Sequence, residues 1–409
     1  MVEPRAQKFD QSVAASSNEK KRPGATSAEA LDLATRLCGI LERSDFSGYD
    51  PYDALRSPIL HRLTPTPMLR RVATQSLKRS PINLRRLLLI TPTAHVKGLS
   101  LCVSAFAKLA VLIPDGPWST LAAGLAERLL DRRISTSDGT GWGYDFDVQT
   151  RWGYYERTEP NAVATAFAIE ALADVAVVSD RKDFAAAAEA GARFACSGLA
   201  ISVGDDLYFS YFRGSTTPIH NANLLLARAV ARCAHTDRGL PEMATRALWY
   251  TLARQREDGS WPYGETPPLA WVDGYHTAYV LDCLGYCNGA IASSRVRSGL
   301  SRGLDLYLRR LIDPDGAPRA SLESRYPLDV HAAASAIAAL CRLRSFDRRA
   351  LPTAERVFRW SVDRLLRADG RFAFQQHRHW RNAIPFVRWG DAHMLVALVE
   401  LAATGSADA

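Results

Sequence analysis

The sequence predicts an all-α chain folded as an (α/α)6 toroid, two concentric rings of helices, on three observations. Helix-like segments come in pairs, the pairs recur at a nearly fixed period, and within each pair one helix is amphipathic while the other is apolar almost all round. Asn221 to His276 and His276 to His331 are each 55 residues, Asp391 lies 60 beyond His331, and Thr165 lies 56 before Asn221. Fixed-period self-similarity marks a repeat architecture. A helix polar on one side suits an outer ring, an apolar one must be enclosed, and closing the ring removes the need for capping repeats. An open helical solenoid is the alternative.

In chain order, residues 1–26 are polar, with Ser, Lys and Pro, and read as a disordered tail; residues 27–409 read as a single toroid domain. After one N-terminal helix, PTPMLRRVATQSLKR is the expected outer helix of the first pair and 93–112 its inner partner. The outer segments PWSTLAAGLAERLLDRRI, FAAAAEAGARFACSGL, PEMATRALWYTLARQ, SSRVRSGLSRGLDLYLRRL and PTAERVFRWSVDRLL then alternate with inner segments at 161–175, 220–234, 275–287, 330–343 and 390–401. Between outer and inner helix run loops opened by Gly or Asp-Gly, a pair expected to end the outer helix because Gly accepts the left-handed conformation. All these loops are thereby expected on one rim.

Composition narrows the function classes. The chain has 409 residues, 47% of them hydrophobic and 23% charged, with 51 Lys+Arg against 43 Asp+Glu, so collagen, coiled coil and wholesale disorder are excluded. The arginines read as scattered along the helices, which argues against nucleic acid as a partner. The start has no apolar leader and no later window offers an uncharged apolar span, so the expectation is a cytoplasmic protein without an integral membrane segment, in an oligomeric state the sequence leaves open. Seven cysteines, most within alanine-rich helices, read as reduced core residues. His377-x-His379 with His393 has a ligand-like spacing, but such loop histidines are usually surface residues, so no metal and no cofactor are expected.

The loops and the first turns of the inner helices place polar groups and aromatics toward the toroid axis. A ring of buried polar groups implies a wet cavity, although Asp273, Asp329 and Asp391 also suit helix caps. Aromatic faces beside paired carboxylates are what a sugar cleft needs: stacking for the ring, hydrogen bonds for hydroxyls, carboxyl groups for acid and base. For hydrolysis the candidates are Asp147, Glu265, Asp273 and Asp329, with Glu265, after Trp261 and Tyr263, as the acid whose pKa an aromatic setting raises. For elimination or epimerisation, His276 and His331 serve as bases, Tyr263 or Tyr279 as acid, and Arg151 or Asn223 as partner of a uronate carboxylate. Trp142, Tyr144, Gln149, Arg151, Asn221, Asn223, Trp261, Tyr263, Trp271, Trp389 and Asp391 are the expected substrate-binding set, and Trp152 belongs to the same aromatic rim.

Two resemblances bear on this. Gln255-Arg-Glu-Asp-Gly259-Ser-Trp261 resembles the QxxxGxW repeat of squalene-hopene cyclases and prenyltransferase-like toroids, yet no Asp-x-Asp-Asp acid motif is present; Tyr275-His276-Thr277 resembles the zinc-histidine segment of protein prenyltransferase beta subunits, without its Asp-x-Cys partner. A more extensive match, from Gly48 onward, is to an α/α-toroid family of bacterial exopolysaccharide and surface-glycan clusters, carried by GYDPYDALRSP, GWGYDFDVQTR, HNANLL, DGSWPYGE, WVDGYHTAYVL and YPLDVHAAASAI. That resemblance implies a carbohydrate-active enzyme acting on a glycan or lipid-linked saccharide, by hydrolysis first and by lyase or epimerase chemistry second. A terpene-cyclase-like isoprenoid enzyme and a non-catalytic glycan-binding toroid are the alternatives from other classes.

Overall fold

The structure, a computed structural model, describes residues 24–151, 153–233 and 239–407. Most of the expected tail, and Trp152, lie outside the described residues; α1 (Ala25–Arg43) already begins within the tail's last residues. The helices that follow are α2 (Pro58–Leu63), α3 (Pro67–Arg79), α4 (Val96–Leu112), α5 (Trp118–Leu130), α6 (Ala162–Ser179), α7 (Lys182–Phe194), α8 (His220–Arg232), α9 (Gly239–Leu252), α10 (Gly274–Ala290), α11 (Ser294–Leu306), α12 (Val330–Arg342), α13 (Ala350–Leu365) and α14 (Ala392–Ala407).

The predicted double ring is present and closed. Helices α4, α6, α8, α10, α12 and α14 pack each on the next, and α14 returns to α4; α1, α5, α7, α9, α11 and α13 pack around them. The patterning explains the placement: α12 buries twelve of its thirteen residues, whereas α13 buries eight of sixteen along one face. Helix α6 is long and apolar enough by length and composition to cross a membrane, and here it is an inner helix packed against α4, α5, α7 and α8. All seven cysteines are free; six are buried and Cys196 is half-buried.

One element is reassigned. The outer helix of the first pair is α1, not the 65–79 segment, because α1 offers a complete stripe (Ala30, Ala34, Leu37, Cys38, Leu41) to the core while α3 buries only Thr74 and Leu77. Helices α2 and α3 belong to the long loop between α1 and α4, with a small core of their own built on Ala54, Leu77 and Ile90. That loop crosses the rim: Asn382 Nδ2 donates to the carbonyls of Lys78 and Ser80, and Arg70 lies 4.6 Å over the Tyr154 ring.

The rim loops carry short strands: β1 (Ile134–Thr136) with β2 (Gly139–Gly141), β3 (Val148–Gln149) with β4 (Tyr154–Tyr155), β5 (Ala200–Val203) with β6 (Asp206–Phe209), and β7 (Leu328–Asp329) with β8 (Gln375–Gln376) and β9 (Arg381–Asn382), all antiparallel. The Asp-Gly pairs do not end the outer helices; they form tight turns several residues later. At the fourth loop Gly259 N–H donates to Arg256 O, Arg256 N–H to Ser260 O, and Ser260 N–H to the Asp258 carboxylate. The same turn recurs at Asp313–Ala317 and Arg367–Arg371, with φ of +90° at Gly259, +89° at Gly316 and +80° at Gly370. A Cβ at Gly259 would stand 2.6 Å from the Arg302 carbonyl oxygen, so Gly259→Ala combines left-handed strain with a backbone clash. We expect it to cost about 2 kcal/mol, read as a lower urea midpoint at an unchanged slope.

Beneath the site the inner helices are tied by a chain of ions, of which Glu170, Arg228, Asp282 and Glu400 are buried. Glu170 (α6) accepts from Arg228 (α8) at 2.6 and 2.7 Å; Arg228 and Arg342 (α12) both donate to Asp282 (α10) at 2.6 Å; Arg342 donates to Glu400 (α14) at 2.9 Å, and Glu400 pairs with Lys108 (α4). Three acids and three bases thus alternate across all six inner helices. Burial opposes ionisation of Asp282, but Arg342 and Arg228 outweigh it and hold the carboxyl below its usual range; Glu400, also buried, is brought to about 2 by Arg342 and Lys108.

Candidate active site

Every inner helix starts at the loop-bearing rim, so its first turn faces both the axis and the loops. Asp273 and Asp329 occupy N-cap positions and accept from the backbone N–H of His276 (2.9 Å) and His331 (2.8 Å). Capping leaves each a second oxygen edge for the site. Asp273 Oδ2 lies 2.6 Å from His276 Nδ1 and accepts the Trp271 indole N–H at 2.9 Å; Asp329 accepts the Trp389 indole N–H at 3.0 Å and the Gln375 amide at 2.6 Å. Burial raises the Asp329 carboxyl above its usual range, against the opposing effect of Gln375 and Lys78.

At the base of this entrance is a histidine and tyrosine cluster. Tyr275 and Tyr279, one turn apart on α10, face the same side. The Tyr279 hydroxyl lies 2.7 Å from His331 Nε2 and 3.4 Å from His393 Nε2, and the two imidazoles are 3.9 Å apart between centroids. Both imidazoles are buried, and burial, with their cationic neighbours, pulls them well below the usual imidazole range. They are therefore neutral at pH 7 and able to accept a proton. Lys97 (α4), also buried, reaches the Tyr279 hydroxyl at 3.3 Å and lies 4.5 Å over the Phe167 ring; burial, with Arg388 nearby, holds its ammonium well below the usual lysine range.

Aromatic walls rise above the cluster. Tyr263 stacks on Trp271 at 4.6 Å and Tyr263 lies 4.5 Å from His276; Tyr275 is 4.0 Å from His276 and 4.8 Å from His331; Trp389 is 4.4 Å from His331. Arg151 extends over Trp271 at 5.6 Å. On another side Tyr144 and Tyr211 join hydroxyls at 2.9 Å, with Tyr155 against both. The Arg388 guanidinium, paired with Asp50, lies 5.1 Å over Tyr144 and 5.6 Å over Trp389.

Asp273, His276, Asp329, His331, Tyr263, Trp271 and Trp389 are thus brought into one contiguous network, with Tyr279, named as a possible acid, at its centre. Others are placed elsewhere. Trp142 and Trp261 are core residues whose indoles donate to the carbonyls of Leu129 (2.8 Å) and Thr251 (2.9 Å), fastening loop to outer helix; this is what the QxxxGxW tryptophan does here. Asn223 is consumed by Phe209 N–H, Ala247 O and Thr251 Oγ1. Gln149 bonds back to its own hairpin, and Asp147 accepts from Tyr154 OH and Arg157 N–H, bracing the β3–β4 turn. Asp391 is fully buried against Arg371. Glu265 forms a separate group, accepting from Arg254 (2.7 Å) and Tyr250 (2.8 Å) with His220 at 3.8 Å, so the apolar setting expected of a general acid does not surround it. Asn221 is buried in the first turn of α8, its Oδ1 unpartnered. Among the described residues no group of three His, Cys, Asp or Glu is arranged to hold a metal, and His377 stacks on Trp380 at 3.8 Å.

The sequence reading did not single out Lys97 or the Arg388–Asp50 pair. Lys97 had a local signal, a cation in the first turn of an inner helix; Asp50 and Arg388 are 338 residues apart and had none.

No protein-family model matches the chain, and no curated protein matches it by sequence. Solved structures do match by fold. A sugar epimerase from a ruminal bacterium superposes with a TM-score of 0.60 at 13% identity, over 76% of this chain and 88% of that one. A GH76 α-mannanase of Bacteroides thetaiotaomicron gives 0.59 at 11% identity, over 77% and 87%, and a polysaccharide lyase 0.60 at 11%, over 93% and 98%. The α/α-toroid fold is shared with enzymes whose names describe carbohydrate chemistry.

Proposed function

We propose that this chain is a carbohydrate-active enzyme that moves a proton at a sugar carbon, as an epimerase or lyase, on a glycan or lipid-linked saccharide of bacterial polysaccharide metabolism in the cytoplasm. The observation that carries the reading is the Tyr279 hydroxyl held between the imidazoles of His331 and His393, with Lys97 on the same oxygen. A neutral imidazole takes the proton alpha to a carbonyl or carboxylate, the Arg388 guanidinium supplies positive charge near the enolate oxygen, and Lys97 offers it an N–H donor. Return of a proton to the opposite face gives an epimer; departure of the β-substituent gives an unsaturated sugar. Trp271, Tyr263 and Trp389 offer faces for sugar stacking.

A second reading, hydrolysis, is favoured by Asp329, whose carboxyl burial raises above its usual range, in the same network as Asp273. The isoprenoid alternative fits less well, because a carbocation beside three imidazoles and a lysine would lose a proton to them.

Incubation with oligosaccharides in deuterium oxide and oxygen-18 water separates these readings. Proton abstraction places deuterium on a ring carbon or yields an unsaturated uronate; hydrolysis places oxygen-18 at the new reducing end with no carbon-bound deuterium. Because both imidazoles are held low, we expect kcat/KM to stay flat between pH 7.5 and 6, without a limb at the ordinary histidine range of about 6.5. A limb there would assign the base elsewhere.

A further inference from the structure

The basic surplus of the chain is not spread evenly. Residues 54–90 contain eight lysines and arginines and no acid, which equals the whole excess of 51 basic over 43 acidic side chains, so the rest of the molecule is balanced. The arginines themselves are scattered, seven of 44 falling in this stretch; the absence of acids is what concentrates the surplus here. It coincides with a second anomaly: nine of the thirteen large hydrophobic side chains exposed among the described residues fall between Ile59 and Leu89. Leu63 is 67% exposed, Met68 74%, Val72 53% and Leu87 75%. Arg62, Arg71, Arg79 and Arg86 are exposed among them.

The face is a built platform. Its underside is the Ala54, Leu77 and Ile90 core, and Arg85 is buried against Asp53 at 2.8 Å and the Asp50 carbonyl. Inward positions of α3 engage the rim, with Lys78 4.4 Å over Tyr52, while the outward positions Met68, Arg71, Val72 and Arg79 follow helical spacing. Leu89 adopts φ +57°, a left-handed conformation that costs a leucine roughly 1 kcal/mol, and it is 62% exposed. Such strain is kept where the displayed side chain has a use.

We propose that residues 58–90 form a docking face for the surface of an anionic bilayer. Interspersed arginines and apolar side chains without acids suit headgroup phosphates and the acyl boundary together: the guanidiniums meet the negative surface while leucine and methionine enter the interface. Nucleic acid would match the charge but leave the apolar side chains in water, and a second copy, whose remaining basic and acidic side chains are equal in number, brings no net negative charge to this face. The docked face stands on the same rim as the candidate active site, tied to it through Lys78, Asn382 and Tyr154. Docking there turns the rim toward the lipid. The inference stands independently of the reaction proposed above.

The test is flotation of the full chain with vesicles of phosphatidylcholine alone or with 30% phosphatidylglycerol. We expect at least tenfold stronger partitioning to the anionic vesicles, weakened by 0.5 M salt. Arg71→Glu with Arg79→Glu should remove the preference, and Met68→Asp with Leu87→Asp should lower partitioning at least tenfold, each with an unchanged far-ultraviolet spectrum and melting midpoint. Equal partitioning to both vesicles, or binding that all four substitutions leave intact, overturns the proposal. Tighter binding to an oligonucleotide duplex than to vesicles, lost with the same arginines, would instead assign the face to nucleic acid. A concentration-dependent dimer in sedimentation, lost with Met68→Asp, would assign it to self-association.

Discussion

Tyr279→Phe lowers turnover by about 10^2 to 10^4, the usual worth of a positioned acid or base, while the protein melts as before. The substitution removes one oxygen from a half-buried side chain and keeps the ring that contacts Phe167, His331 and His393. What disappears is the hydroxyl 2.7 Å from His331 Nε2 and 3.3 Å from Lys97 Nζ, so His331 loses its partner and the lysine is left beside aromatic faces alone. His331→Gln should act in the same direction, since an amide keeps polarity at that place but cannot serve as a base. The two defects should not multiply in the double variant, because groups that act as one unit are non-additive. The measurement is initial rate on whichever oligosaccharide shows carbon-bound deuterium uptake, alongside thermal melting. Rates within fivefold of the unsubstituted chain for both variants would remove this cluster from the chemistry.

Periodicity carried the architecture because burial is written into it: an inner helix such as α12 has almost no polar position, and an outer helix such as α13 has a polar side. It misassigned the first outer helix because α3 has helical spacing and a Thr66 cap followed by Pro67, whereas α1 starts from Gly24 with no side-chain cap; only the buried stripe of α1 decides between them. At the site, residues marked by a helix start were legible, since Asp273, His276, Asp329 and His331 all sit where an N-cap and first turn meet the axis. Tryptophans were harder. Trp271 and Trp389 bond to the capping carboxylates, whereas Trp142 and Trp261 turn inward to outer-helix carbonyls, and nothing in local composition separates the two uses. Asp50 with Arg388, and the ionic chain from Glu170 to Lys108, needed ring closure to be seen, because each partner lies on a different repeat.

That ionic chain leads to the opposite kind of result. Within that chain Asp282 is the acid that two arginines share, so Asp282→Asn leaves the buried Arg228 with Glu170 and the partly exposed Arg342 with Glu400, and an amide between them. Breaking a buried pair by removing one partner typically costs 3–5 kcal/mol, and we expect about that, read as a lower urea midpoint. The pH dependence should change with it. The folded pKa values of Asp282 and Glu400 are depressed, so the stability they contribute is fully present above their unfolded values near 4 and is lost as pH falls through the folded values, about 2 for Glu400. The variant should consequently have a shallower loss of stability between pH 4 and 2. An unchanged urea midpoint, or an acid limb as steep as before, would mean the arginines find other partners. Because the chain lies deeper along the inner helices than the first-turn histidines, Asp282→Asn should lower stability far more than turnover, the reverse of Tyr279→Phe, and the pair of variants separates the floor of the toroid from its chemistry.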